Sequence, residues 1–192
     1  MSTDTKQHLL TSAQYIFARS GYDGLSMRTL ASETGIASSV TYHYFRDKDV
    51  LLKELFDSIN TRLGIERAKL PIKESALDAL KQRIVFQFNH AEEVVCVLKY
   101  YLHYRNRFEE LEDGYVPAKA YLHIEEVLRA GVESGELDDS LDIPSQAKII
   151  THAINGFVLE YFPDPPTGKH RQKLIDDIAT FIYRSVERRS QA

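Results

Sequence analysis

Hydrophobic residues recur three or four positions apart through most of the 192-residue chain, the spacing of one face of an α-helix. Sustained two-residue alternation bounded by turn residues, the pattern of a half-buried strand, is nearly absent. The pattern therefore predicts an all-α protein of about nine helices. We expect a first helix ending at Gly21, then helices over 26–35, 38–45, 48–70, 73–89, 92–111, Pro117 to Gly135, 144–161 and 169–189.

The predicted helices change in length near residue 47 of the chain. Those before this point are mostly short, whereas those after it are long and contain wide apolar stripes. This change predicts two domains, 1–47 and 48–192. The first would be a three-helix domain, and the second a larger helical domain.

The second and third predicted helices have the features of a helix-turn-helix, which is two short helices joined by a tight turn with glycine. Ser26 is a suitable N-cap, and Gly35 permits the positive φ that the turn needs. Ile36 and Phe45 can fill a small core with Leu30. The helix after the turn would then stand out from the domain. Its outward side chains would be Ser38, Ser39, Tyr42 and His43, which can hydrogen-bond to phosphates and base edges.

The segments "GYDGLSMRTLA", "TGIASS" and "YHYFRDKDVLL" resemble the DNA-binding region of the TetR/AcrR family of transcriptional regulators. The detailed resemblance covers about a quarter of the chain, and the rest resembles the family's regulatory domain only in layout. The resemblance implies that Ser26, Arg28 and Lys48 hold phosphates, that Ser38 and Ser39 read base edges, and that Tyr42 and His43 touch backbone or bases. The alternative is that Tyr42 and His43 are ordinary surface residues that do not contact DNA.

Two positions depart from the family pattern. A lysine that family members often carry is missing from the segment 37–40, which removes one phosphate or guanine contact. Thr41 stands where the pattern has a buried leucine, so its hydroxyl needs a partner, such as the carbonyl one helical turn back. We expect neither departure to break the fold.

The last two predicted helices indicate a dimer interface. Helix 144–161 is apolar around most of its circumference and must be buried on two sides. One stripe contains Ile149, Ala153 and Gly156, and the glycine would allow close helix approach. The interface is predicted to include Ile150, Ile154, Phe157, Leu174, Ile178, Phe181 and Ile182, in half of a four-helix bundle that the resemblance also implies. The alternative is that both helices close a monomeric core.

The middle of the chain is rich in aromatic residues, which suits a largely apolar cavity with a few polar groups. Predicted effector-binding residues are Phe86, Tyr100, His103, Tyr104, Tyr121 and His123. The alternative is an ordinary aromatic core. An effector site in this domain is implied by the resemblance and is not a consequence of the pattern itself.

Composition restricts the chemistry further. The net charge of −4 means that any nucleic-acid contact is local. The single cysteine, Cys96, excludes an internal disulfide and lies in an apolar run. Histidine spacings fit no metal motif, and phosphate-loop, dinucleotide and nucleophile-elbow motifs are missing. We therefore expect no metal, no cofactor, no enzymatic activity and no membrane segment, and a cytoplasmic location.

These features predict a ligand-responsive transcriptional regulator, a dimeric repressor released from a near-palindromic double-stranded DNA operator by a small, largely apolar effector. One alternative is a helical dimer whose N-terminal module binds a protein partner instead of DNA. A second is a ligand-binding or enzymatic helical protein with a vestigial DNA reader.

Overall fold

A computed structural model describes residues 3–73, 75–105 and 118–188 of the chain. Over these ranges the secondary structure is helical, apart from turns and one isolated β-bridge between Leu137 and Glu187. The helices are α1 Thr3–Gly24, α2 Met27–Thr34, α3 Ser38–Tyr44, α4 Lys48–Arg67, α5 Ala76–Asn89, α6 Ala91–Tyr104, α7 Leu122–Glu133, α8 Ile143–Tyr161 and α9 Gly168–Val186. A short 3-10 helix, Ala118–Tyr121, precedes α7. The predicted all-α class is confirmed.

Most helix boundaries follow the predicted caps, and the differences have local causes. The first helix is broken at Gly21, as predicted, because its φ of 66° and ψ of −163° are not helical, and a helical turn to Gly24 follows this kink. Helix α5 begins at Ala76, three residues after the predicted start at 73, and Ser75 is its N-cap residue. The predicted extension of α6 to 111 and the predicted start at Pro117 lie outside the described residues.

The chain forms two compact units, each assembled from two segments of the sequence. The first contains 1–63 and 92–114, and the second contains 64–91 and 115–192. The first unit thus combines α1 to α3 with most of α4 and with α6. The domain boundary between 47 and 48 stays a prediction, since α4 begins at Lys48 but lies largely within the first unit.

The first unit is held together by apolar side chains that recur at helical spacing. Helix α1 buries Leu9, Ala13 and Phe17 on one face, which is the stripe that the sequence predicts. Other buried members of this unit are Leu30 and Ala31 of α2, Phe45, Leu51, Leu52, Leu55 and Ile59, and Val95, Cys96 and Tyr100 of α6.

The second unit has a single apolar core to which α5, α7, α8 and α9 contribute. Helix α5 contacts each of the other three. The Ser75 side chain does not cap the first amides of α5. Ala76 N instead donates to the Glu136 carboxylate at 2.8 Å, and this carboxylate also accepts from Ser75 Oγ at 3.4 Å. The end of α9 is tied to the same loop, where Asp138 N donates to Val186 O at 3.0 Å.

None of the described helices is long and apolar enough to cross a bilayer.

Candidate nucleic-acid interface and ligand site

The start of α2 is fixed by a reciprocal pair of hydrogen bonds. Ser26 Oγ accepts from Thr29 N at 3.0 Å, and Thr29 Oγ1 accepts from Ser26 N at 2.8 Å. This capping box satisfies two amides that the helix itself cannot pair. The predicted cap is confirmed, and the hydroxyl of Ser26 is already engaged within the protein.

The turn between α2 and α3 depends on Gly35. Its φ of 67° and ψ of 9° place it in the left-handed region, where glycine carries no Cβ penalty. The turn brings α2 and α3 into contact. It is followed by Ala37, which begins α3 without a side-chain cap.

Helix α3 has one buried and one exposed side. Thr41 is completely buried, and its hydroxyl donates to Ala37 O at 3.4 Å, one helical turn back. The partner expected for this departure from the family pattern is therefore present, at the long end of hydrogen-bond distances. Phe45, which follows the helix, is also fully buried. The exposed side carries Ser38, Ser39, Tyr42 and His43.

The predicted phosphate ligands differ in how available they are. Arg28 on α2 is exposed. Lys48 is half-buried, and its ammonium donates to Tyr22 O at 2.9 Å and lies 3.5 Å from the centroid of the Tyr22 ring. An ammonium has three N–H donors, so this contact leaves donors for a phosphate and also fixes the side chain in position.

The first turn of α4 is capped by Asp47, whose Oδ1 accepts from Val50 N at 2.9 Å. This backbone hydrogen bond, followed by the one from Arg46, holds the pKa of the Asp47 carboxyl below its ordinary value. This cap sets the direction of α4 immediately after the exposed face of α3.

Three of the predicted effector residues, Tyr100, His103 and Tyr104, lie on α6 in the first unit. The Tyr100 ring stacks on Phe56 with centroids 4.4 Å apart. His103 is exposed and stacks on Tyr22 at 3.7 Å.

Tyr104 is bound to α4. Its hydroxyl donates to Asp49 Oδ1 at 2.7 Å, and burial together with this carboxylate raises the pKa of the phenol. Sequence reasoning missed Tyr22 and Asp49, which fix this end of α6. No local pattern signals such a contact, because Asp49 and Tyr104 are 55 positions apart.

The other three predicted effector residues lie in the second unit. Phe86 and His123 are buried, and Tyr121 is half-buried with the Lys148 ammonium 5.4 Å from its ring centroid. Neither ring nitrogen of His123 makes a hydrogen bond of good geometry within the described structure. Burial, and then the positive charge of Arg83, lower its pKa to about 4. His123 is therefore neutral at pH 7.

The predicted interface residues also fall into classes. Ile150, Ile154, Ile178 and Ile182 belong to the buried core of the second unit, whereas Phe157 and Leu174 are partly buried against it. Phe181 is 69% exposed. The second apolar stripe of α8 faces outward: Ile149 is 58% exposed, and no atom lies within 4 Å of where a Cβ on Gly156 would be. These placements favour the second stripe as the surface open to a partner.

Within the described ranges, no three His, Cys, Asp or Glu side chains are grouped so that they could hold a metal ion.

Comparison with known proteins agrees with the geometry of the first unit. Residues 9–55 match the family model described as "Bacterial regulatory proteins, tetR family". This segment extends from α1 through the helix-turn-helix to the first turns of α4.

One curated relative is similar over most of the chain. It is the Fatty acid metabolism regulator protein of Bacillus subtilis, 26% identical over 159 residues, which are 77% of this chain and 78% of the relative.

Solved structures share the fold across nearly the whole length. The ketosteroid transcriptional regulator of Mycobacterium tuberculosis superposes with a TM-score of 0.69 at 19% identity, covering 98% of each chain. A TetR family transcriptional regulator from Pseudomonas syringae superposes with a TM-score of 0.66 at 14% identity, covering 97% of this chain and 99% of the other. At these identities the likeness establishes the fold.

Proposed function

The chain belongs to the TetR family of bacterial regulatory proteins, a DNA-binding family of regulators and not of enzymes, and on that premise we propose that it is a dimeric repressor. It would bind a near-palindromic operator in the cytoplasm and leave it when a small effector binds. The observation that carries this proposal is the two-sided α3. One side is locked into the domain by Thr41, and the other presents hydrogen-bonding side chains to the outside.

The roles of the individual residues follow from their availability. Ser38, Ser39, Tyr42 and His43 are exposed on one helix, as base-edge contacts require. Arg28 and Lys48 supply cations beside that helix, and these would grip the phosphates on either side of the groove. Ser26 would contribute mainly as the cap that orders the start of α2, since its hydroxyl already accepts from Thr29.

Dimerisation sets the spacing of the two reading helices. A two-fold dimer presents two copies of α3 at a fixed separation, about 34 Å for half-sites one turn of DNA apart. We propose that the outward stripe of α8 around Ile149 and Gly156, with Phe181 of α9, is the contact surface. The four core isoleucines would support that surface from beneath.

Effector binding would act by changing this separation. The two-state equilibrium between a DNA-competent and an incompetent spacing shifts only if the effector binds one state more tightly. The name of the B. subtilis relative makes genes of fatty acid metabolism the first candidates for regulation, and fatty-acid-derived molecules the first effectors to screen.

DNA binding can be tested by fluorescence anisotropy with DNA from the chain's own upstream region, compared with scrambled DNA across a salt series. We expect saturable, preferential binding whose log affinity falls linearly with log salt. Tyr42→Ala and His43→Ala should each weaken it by about 1–3 kcal/mol if they touch bases. Tyr15→Ala is the matched control, because Tyr15 is 48% exposed in the same unit and Tyr42 is 54% exposed.

The protein-partner alternative gives a different result in the same assay. If the upstream DNA and a genome-wide selection both yield only weak, sequence-indifferent binding, the DNA-reading proposal fails. Retention of wild-type affinity by the double variant Tyr42→Ala/His43→Ala would also reject α3 as the reading helix.

The dimer surface has its own test in sedimentation equilibrium. Ile149→Asp should shift the chain toward monomer, because a charge buried in an apolar interface is costly. Leu102→Asp is the control, since Leu102 is 56% exposed on α6 and lies outside the proposed surface. An unchanged dimer with Ile149→Asp would exclude this stripe.

A further inference from the structure

Two arginines are buried in the second unit. Arg83 of α5 is 0% exposed, and Arg67 at the end of α4 is 8% exposed. Arginine is almost never this deeply buried unless it is paired with an acid. Each of these two arginines therefore needs an acidic or hydrogen-bonding partner, supplied either by the protein or by a bound molecule.

The partners that the protein supplies are neutral and incomplete. Arg83 donates through Nη1 to Gln87 Oε1 and through Nη2 to Ala120 O at 3.5 Å. The Nε atoms of both Arg83 and Arg67 are buried without a hydrogen-bond partner. None of the ion pairs found among the described residues includes either arginine, and Glu66, beside Arg67 in sequence, contacts His90 at 3.3 Å.

Both guanidiniums lie near the same aromatic ring. Their central carbons lie 5.8 Å (Arg83) and 5.9 Å (Arg67) from the centroid of the same Phe86 ring. Burial, followed by the charge of Arg67, lowers the pKa of Arg83 to about 9, and burial also lowers the pKa of Arg67. Guanidinium groups nevertheless stay protonated in proteins, so both side chains are cations. The second unit thus holds two buried positive charges beside one ring, and among the described residues no carboxylate forms an ion pair with either of them.

The surrounding groups are polar and uncharged. Gln87 Nε2 donates to Asn155 Oδ1 on α8 at 2.5 Å. The Thr151 hydroxyl, one turn earlier on the same face of α8, is buried without a partner among the described residues, and the ring of His123 on α7 has only a contact of poor geometry with the Leu70 backbone. The neutral His123 can accept or donate a hydrogen bond, and Thr151 can do either as well.

We propose that Arg83 and Arg67 bind the anionic head group of the effector, a carboxylate or a phosphate, while Phe86 contacts the apolar chain attached to it. Guanidinium forks match such oxygens with paired, charge-assisted hydrogen bonds, which are strongest away from water. The inference rests on the proposed function only in naming the bound molecule as the effector. The predicted effector is largely apolar, and this site adds a charged end to it.

A purely structural role explains only part of the arrangement. The bond from Arg83 to Ala120 O holds the 3-10 turn, and a neutral donor would do the same without the cost of burying a charge. A structural role explains neither the burial of Arg67 nor the lack of hydrogen-bond partners at the Nε–H groups of Arg67 and Arg83. An incoming anion satisfies all of them together and neutralises the repulsion between the two cations.

The test compares decanoate, decyl phosphate and decanol as probes of the full-length protein by isothermal titration calorimetry. We expect an anionic probe to bind at least about tenfold more tightly than decanol, the difference that a charge-assisted hydrogen bond gives. Arg83→Gln and Arg67→Gln should each remove most of this preference, while exposed Arg184→Gln on α9 should retain it. Preference for decanoate or for decyl phosphate then identifies the head group.

A measurement on the wild-type protein covers the case in which a variant does not fold. The side-chain Nε–H resonances of Arg83 and Arg67, assigned with Arg83→Lys and Arg67→Lys, should shift on addition of the anionic probe and not of decanol. Folded glutamine variants that keep the wild-type preference, or arginine resonances that do not move at saturation, would overturn the proposal.

Adding labelled operator DNA to the same samples separates this inference from the proposed function. Arginine-dependent binding of the probe in a protein that binds no DNA supports the anion site and rejects the regulator. Specific DNA binding with no affinity for either anionic probe rejects the anion site and leaves the regulator in place. Probe binding that never weakens DNA affinity overturns the claim that the bound anion is the effector.

Discussion

The phenol of Tyr104 and the carboxylate of Asp49 join α6 to the first turn of α4 through a 2.7 Å hydrogen bond. The same oxygen of Asp49 accepts from the Tyr22 hydroxyl, also at 2.7 Å. Lys48, the neighbour of Asp49, holds the Tyr22 carbonyl. The end of α1, the start of α4 and the end of α6 therefore form one hydrogen-bonded group next to the proposed DNA-reading helix. A displacement of α6 would therefore be transmitted through Asp49 and Tyr22 to Lys48.

Tyr104→Phe tests the strength of this link. The change removes the hydroxyl of buried Tyr104, which donates to the carboxylate of exposed Asp49, and we expect it to lower the free energy of unfolding by about 1–3 kcal/mol, the range for a hydrogen bond to a charged group. Urea denaturation measures this loss. Tyr42→Phe is the control, since its hydroxyl is on the exposed face of α3, and its stability should change by no more than about 0.5 kcal/mol. Equal stabilities for the two variants would show that the Tyr104–Asp49 bond contributes nothing.

Gly35→Ala tests the left-handed turn of the helix-turn-helix. No atom lies within 4 Å of the added Cβ, so the cost comes only from the backbone at φ 67°, about 1–2 kcal/mol. Gly64→Ala is the same chemical change inside α4, also with open space around the Cβ, and should stabilise by about 0.5–1 kcal/mol. Thermal unfolding of the pair should therefore shift in opposite directions. A gain in stability from Gly35→Ala would refute the assigned backbone conformation.

Local features of the sequence predicted the helices because each boundary has a local cause. Ser26 and Asp47 each cap a helix through a hydrogen bond to the residue three positions later. Gly35 ends α2 through its own left-handed backbone conformation. The need for a partner at Thr41 was also predictable, since the hydroxyl can reach only the preceding turn once it is buried. The exposed side of α3 then follows from its buried side.

Contacts between distant residues could not be predicted in the same way. The aromatic residues of α6 fit a cavity and a packed core equally well in sequence, yet Tyr104 contacts Asp49 and His103 stacks on Tyr22. Arg83 looks in sequence like any polar position on an amphipathic helix. Its hydrogen bond to Ala120 O in the 3-10 turn joins residues that are 37 positions apart along the chain.

Cys96 should be almost unreactive in the native protein. Its side chain is 3% exposed and its thiol contacts Gln14 O at 3.3 Å, while burial, and then the Glu92 carboxylate, raise its pKa. Labelling with a thiol reagent at pH 8 should be at least about a hundredfold slower than in denaturant, because the thiolate is the reactive form. The control places the thiol at exposed Leu102, as Cys96→Ala/Leu102→Cys, which should react rapidly. Comparable native rates for the two proteins would show that this part of α6 opens readily.

His123 should make the protein less stable in mild acid. Its folded-state pKa of about 4 lies below the ordinary value of 6.5, so between these values the unfolded chain takes up a proton that the folded one does not. The free energy of unfolding is then unaffected by His123 above pH 6.5 and falls as the pH drops from 6.5 to 4. The full loss would be about 3 kcal/mol at most, from a shift of 1.36 kcal/mol per pKa unit.

The measurement is urea denaturation at several values between pH 4 and pH 7. His123→Leu should show a flatter profile than the wild type in this window, whatever its absolute stability, because the titrating group is gone. His170→Asn, at an exposed position of α9, should keep the wild-type slope. Asp47, Asp142 and Asp176 have pKa values below 3.8 and contribute their own loss below this window, equally in all three proteins. If His123→Leu and the wild type have parallel profiles, His123 is not held neutral by its burial beside Arg83.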